Sequence, residues 1–270
     1  MKRLLVVLLV LLAAAAAHAG TGVHTTYLWH MHQPIYWPDA STWNPDRYET
    51  AHETITLGHS QNDVWNIFDK DDRVGDYQHY PRDAVSSISD LPEAGAQVSF
   101  AGALMENLFS LGDAGWNGGR YASNWYQSYR DARGWLNTAG QPRLEPVLVG
   151  FHHAIGPLLP DAALRMELAL AVEIYGDAWG PGAVSRGFFP AEMCFSERMI
   201  PALVDAGVDW AIVGDTHLAR ACVDYPYQAH LDNCDPPNRA DQTNPVQGVW
   251  RSQTISRGVT VSTPLPFGFT

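Results

Sequence analysis

Glu192 has the setting in this chain that most invites chemistry. It closes the run Gly187–Phe188–Phe189–Pro190–Ala191–Glu192, where an apolar extended stretch gives way to a turn. Phe188, Pro190 and Glu192 share one alternation phase of an extended chain. Ser196, the predicted N-cap of the next helix, lies four residues on, so Glu192 is not that cap. A carboxylate among Phe188, Phe189, Met193 and Phe195 is unfavourable to bury unpaired, so a partner is expected: His30, His32 or a sugar hydroxyl. Such a group suits nucleophilic attack on the anomeric carbon of a sugar. The plainer alternative is that it merely opens a helix.

Other residues of the same chemical kind stand at similar places. In Trp29–His30–Met31–His32–Gln33–Pro34, His30 and His32 fall on one face of a strand. Two imidazoles so placed can hydrogen-bond a sugar or hold a metal, or they are a satisfied polar pair at a strand end. Glu106 follows a second strand, His152 and His153 precede a helix, and Asp215 and His217 follow a third apolar run. Taken singly, each of these is more often structural than functional.

The elements that must position these groups alternate. "HTTYLWHMHQP" reads as a buried strand ending at Gln33–Pro34, followed by a long polar, aromatic excursion from Ile35 to Asp63. "DAVSSISDL" is a weak helix, "AQVSFAGALMENL" a strand running into a turn or helix, and "EPVLVGFHH" a further strand. "PDAALRMELALAVEIYG" is a helix with Asp161 as N-cap, Leu164, Leu168, Ala171, Val172 and Tyr175 on one face, and Gly176 as its stop. "SERMIPALVDAG" is a helix with Ser196 as N-cap, Ile200, Leu203 and Val204 on one face and Gly207 at its end; "VDWAIVGDT" is the next strand. Strands alternating with helices predict a parallel sheet of the α/β class, in which active residues gather where strands end.

Composition narrows the partners. Residues 1–19 have the form of a signal peptide: Lys2 and Arg3, an apolar run from Leu4 to Leu12, then Ala17–His18–Ala19. Export, to a periplasm or outside the cell, is therefore expected, with residues 20–270 as one catalytic domain and no membrane association after cleavage. Loss of Lys2 and Arg3 moves the formal charge from −12 to −14, which disfavours nucleic acid. Aromatic residues are plentiful, and they either stack on sugar rings or fill a core. Export permits disulfides, and Cys222 is expected to pair with Cys234 across a Pro-, Asn- and Asp-rich loop, leaving Cys194 alone. There is no CxxC pair, which argues against a cysteine-based zinc site.

Three ordered motifs resemble glycoside hydrolase family 57: His30–Met31–His32–Gln33–Pro34, Gly102–Ala103–Leu104–Met105–Glu106 and Phe188–Phe189–Pro190–Ala191–Glu192, the last approached through "FHHAIGPLLPD" and "YGDAWG". The resemblance runs from about Tyr27 to the end of the chain. It implies a distorted (β/α)7 barrel, here incomplete toward the C-terminus, and a retaining enzyme acting on α-glucans or related α-linked oligosaccharides by hydrolysis or transglycosylation. It implies Glu192 as nucleophile, with His30, His32, Glu106, His153 and Asp215 lining the sugar site, and it calls for no cofactor. The family's second acid, an Asp in a later motif, has no convincing counterpart. Asp215 comes early, and Asp224, Asp232, Asp235 and Asp241 fall in or near the Cys222–Cys234 loop. A fragment of a longer enzyme is the expectation drawn from this, with a natural short form as the other case. Two further readings are a metal-dependent carbohydrate hydrolase or deacetylase, using His30, His32, Asp215 and His217, and a non-catalytic glycan-binding homologue.

Overall fold

A computed structural model describes residues 26–37, 48–58, 63–182, 185–214, 250–254 and 260–264. Its centre is a parallel sheet. β1 (Leu28–Met31) pairs with β2 (Ala96–Phe100), and β2 with β3 (Leu144–Pro146). β4 (Gly187–Phe188) pairs in parallel with β5 (Trp210–Ala211). A bridge between Leu148 and Phe188 joins the two groups, closed by Leu148 N–H to Gly187 O at 3.1 Å and Phe189 N–H to Leu148 O at 2.8 Å. The five strands therefore lie side by side in chain order, as the alternation of strand and helix predicts. β6 (Trp250–Thr254) and β7 (Thr260–Pro264) pair antiparallel with each other. Among the described residues the strands do not close into a barrel.

Helices cover the sheet. α1 (Ala51–Leu57), α2 (Val64–Asp69), α3 (Asp71–Gln78) and α4 (Tyr80–Ser87) connect β1 to β2. The excursion read as irregular thus holds a helix: Thr50 and Glu53 form a capping box that satisfies two free N–H groups at its start. α5 (Gly102–Asp113) follows β2 after one residue, and α6 (Gln127–Ala132) precedes β3. Gly102 is required at the turn, because the ring of Phe151 lies 2.2 Å from where a Cβ would stand. α7 (Asp161–Trp179) crosses behind the sheet, and α8 (Ile200–Asp205) leads to β5.

Three helix details differ from the sequence reading. Pro160, not Asp161, is the N-cap of α7, and Asp161 occupies its first turn. Gly176 does not stop that helix, which runs on to Trp179 with Gly180 as its cap. Buried Tyr175, Ala178 and Trp179 continue the inner face past Gly176, and their packing outweighs the roughly 1 kcal/mol helix penalty of one glycine. In the α8 region a short 3-10 turn, Glu197–Met199, comes first, and the buried side chains are Met199, Ala202 and Leu203. Ile200 and Val204 are exposed, and Ser196 makes no capping hydrogen bond.

The aromatic surplus goes largely into the core. Phe100 packs against Trp125, Tyr129 and Trp179 with ring centroids 5.3–5.8 Å apart. Truncating a residue such as Trp179 would destabilise by about 3–5 kcal/mol. The fully buried Tyr175 hydroxyl bonds the Phe100 and Val147 carbonyls, at 3.0 and 2.8 Å, and accepts from Phe100 N–H. One side chain thereby fixes α7 to the ends of β2 and β3, where the candidate site begins.

Candidate active site

His30 lies in β1, in register with Ser99 of β2. In-register neighbours on parallel strands share a face, and His30 Nδ1 meets the fully buried Ser99 Oγ at 2.8 Å. The other ring nitrogen, Nε2, meets Nε2 of His153 at 2.7 Å. Two imidazole nitrogens can share a hydrogen bond only if one donates and the other accepts. Either Ser99 donates to His30, which donates to His153, or the direction runs in reverse.

His32 stacks on His153, with centroids 4.0 Å apart, so the expected common face of His30 and His32 exists and His153 completes it. The ring of Phe189 lies 4.7 Å from His30. Burial, followed by the charge of His153 and then of His32, lowers the pKa of His30 to about 4. Burial, then His153, lowers His32 to about 4. Burial also lowers His153, against the opposing pull of Glu192. The three imidazoles are thus neutral near pH 7. Among the described residues His32 Nδ1 is buried without a hydrogen-bond partner, an unfavourable state for a polar atom.

The approach to this cluster is held by hydrogen bonds. Gln33 Nε2 donates to Tyr77 at 2.9 Å and its oxygen accepts from Tyr36. Asn107, fully buried in α5, donates to the Pro34 carbonyl at 3.0 Å and accepts from Ala51 N–H at 2.8 Å. The first and second motifs are therefore joined through Asn107 rather than through Glu106.

Glu192 stands at the end of β4, in the 3-10 turn Ala191–Met193. One carboxylate oxygen is 3.9 Å from His153 Nε2. Two expectations are corrected. Glu192 is not buried among apolar side chains: its side chain is 69% exposed, against 8% for His153. Its neighbour is His153, not His30 or His32, because the imidazoles of the first motif sit one ring deeper. The extended phase also breaks after Pro190, where Glu192 adopts φ 55°, ψ 25°.

His153 (φ 58°) and Met193 (φ 53°) are left-handed as well. A non-glycine residue in that region costs of order 1–3 kcal/mol and persists where the surroundings over-determine it, commonly at functional sites. Three such residues converge on one contact.

Glu106 is placed elsewhere. It projects from α5 into a pocket of about 450 Å³ between α5 and α7, lined by Tyr48, Phe109, Phe151, His152, Glu173 and Asp177 among others. The Tyr48 hydroxyl donates to its carboxylate. No hydrogen bond or ion pair among the described residues joins Glu106 to His30, His32, His153 or Glu192. Asp215 and the Cys222–Cys234 pair lie outside the described residues, as does the segment 1–19. Among the described residues no group of three His, Cys, Asp or Glu side chains is set to hold a metal ion, and no helix is long and apolar enough to cross a membrane.

Sequence reasoning missed Ser99, Tyr48 and Glu167. Strand register would have found Ser99. Glu167 lies in the apolar stripe Leu164, Leu168, Ala171 of α7, and an acid at a core-facing position is itself a signal.

Residues 26–259 match the model of glycosyl hydrolase family 57, and the chain belongs to that family. An alpha-amylase of Niallia circulans is 27% identical over 86% of this chain, which spans 21% of that protein's length. Two similar solved structures are the 4-alpha-glucanotransferase of Thermococcus litoralis and the alpha-amylase AmyC of Thermotoga maritima. The first is 15% identical, covering 91% of this chain and 27% of its own, with a TM-score of 0.45. The second is 13% identical, covering 91% of this chain and 45% of its own, also at 0.45.

Proposed function

We propose that this chain carries the nucleophile of an exported, retaining glycosidase or transglycosylase acting on α-linked glucans, with Glu192 forming the covalent glycosyl ester. The observation that carries the reading is the contact of Glu192 with His153, backed by His30 and His32, at the ends of adjacent parallel strands of a family 57 chain. The alpha-amylase relative, of which this chain spans about a fifth, supports an α-glucan as substrate. A seven-stranded barrel, cleavage after residue 19, and the Cys222–Cys234 bridge belong to the same proposal.

In this mechanism a Glu192 oxygen attacks the anomeric carbon as the bond to the leaving oxygen breaks. A second acid protonates that oxygen, then activates water or a sugar hydroxyl to release the ester. Retention places the two carboxyls about 5–5.5 Å apart. The three neutral imidazoles serve as hydrogen-bonding groups for sugar hydroxyls, and His32 Nδ1 has an unmet need for such a partner. Exposure of Glu192 leaves it open to a large substrate.

Glu192→Gln, assayed on maltooligosaccharides, tests the reading: hydrolysis should vanish while sugar affinity remains. Undiminished turnover in that variant would refute the assignment. Glucan binding without turnover in the unaltered protein would favour a non-catalytic glycan-binding role.

A further inference from the structure

His153 meets both His30 and Glu192 only because the turn that carries it is bent into the left-handed region. The strain of that turn needs a fastening, and α7 supplies one. Glu167 accepts the backbone N–H of His152 with Oε2 at 2.8 Å, and its Oε1 meets His152 Nδ1 at 2.5 Å. Its own backbone carbonyl accepts Phe151 N–H at 3.4 Å. The Glu167 side chain is 13% exposed and that of His152 46%, so water reaches the contact from the His152 side while the carboxylate itself is largely enclosed. On the other side, the Phe151 carbonyl accepts Ala103 N–H at 2.8 Å, at the start of α5. The turn is therefore clamped between two helices, and the side-chain part of the clamp is the Glu167 carboxylate with His152.

We propose that Glu167 is a positioning residue: its carboxylate fastens the Phe151–His153 turn to α7 and so presents the His153 ring to His30, His32 and Glu192. The proposal deepens the reading of the same site given above and rests on it for its catalytic consequence. Among the described residues no hydrogen bond or ion pair joins Glu167 to Glu192 or to the stacked rings, so its effect passes through His152 and the backbone. A bidentate acceptor is suited to this task, because it holds the chain and the His152 ring at once. Gln in its place keeps one oxygen for the backbone N–H and can offer its amide N–H to an unprotonated Nδ1; Ala keeps neither contact.

Two measurements on the full chain decide the matter. The first is geometric and independent of activity: ring–ring Overhauser contacts of His153 with His30 and His32, in protein carrying labelled histidine. They should be present in the parent and in Glu167→Gln, and lost in Glu167→Ala. The second is kinetic, on maltooligosaccharides. Glu167→Ala should lower kcat about 10²-fold, the scale of an ångström-sized misplacement, with KM changed less than about twofold. Glu167→Gln should restore kcat to within about tenfold of the parent. Ring contacts that persist unchanged in Glu167→Ala would overturn the proposal, as would a kcat loss no larger than the unfolded fraction at the assay temperature. A parent protein with no turnover would count against these 270 residues acting alone as a glycosidase, and the ring contacts would still decide the role of Glu167.

Discussion

Two acidic regions lie on either side of the Phe151–His153 turn, and their contrast is instructive. On the strand-end side one exposed carboxylate, Glu192, faces a half-buried stack of neutral imidazoles. On the helix side Glu106, Glu173 and Asp177 line a pocket with Tyr48 and His152. The adjacent histidines respond in opposite directions. Its hydrogen bond to Glu167 raises the pKa of His152, whereas burial lowers that of His153. One residue along the chain therefore separates a histidine prone to carry charge from one kept neutral. Proximity in sequence says little about electrostatic role; the element each ring faces decides it.

Substitutions can break this comparison, the largest effect first. Glu192→Gln should cut kcat by about 10⁴-fold or more, the scale of losing a covalent nucleophile, with binding intact by calorimetry. His153→Ala should lower kcat by about 10²-fold or more, because it removes the group beside Glu192 and the partner of both other rings.

Acid should act on the same stack. His30 and His32 have folded pKa values near 4, below the ordinary 6.5, so the unfolded chain binds protons first as pH falls. Stability should be lost progressively from about pH 6.5 down to about pH 4, read as a falling urea midpoint. Replacing His30 with Asn should flatten that slope. The smallest effect belongs to the helix pocket. Glu106→Gln should raise KM by about tenfold or less and leave kcat near the parent value, since it acts through Tyr48 and binding rather than beside Glu192. A kcat loss in Glu106→Gln as deep as that in His153→Ala would merge the two regions into one site.

Much of the frame was legible in the residues. Period and punctuation give β1, β2 and α7, whereas the segment that forms α5 reads only as a turn or helix. The same-face placement of His30 and His32 follows from strand alternation alone. What escaped was non-local or strained. Nothing in the local pattern says that His153, in a turn with positive φ, swings onto His30 across more than a hundred residues. The burial expected for Glu192 failed because Ala191–Met193 turns out of the extended phase and carries the carboxylate outward. Gly176 misled because helix propensity is a weak term beside the packing of Tyr175 and Trp179. Glu106 kept its place after a strand, but the helix it rides on points it toward α7.

The most direct measurement is covalent. A 5-fluoro-α-glucosyl fluoride slows release of a glycosyl ester more than its formation, because the ring fluorine opposes oxocarbenium charge while fluoride leaves readily, so the labelled residue is found by peptide mass analysis. The account predicts a glucosyl adduct on the peptide containing Glu192, lost in Glu192→Gln. An adduct on a different carboxylate, with turnover surviving in Glu192→Gln, would contradict it.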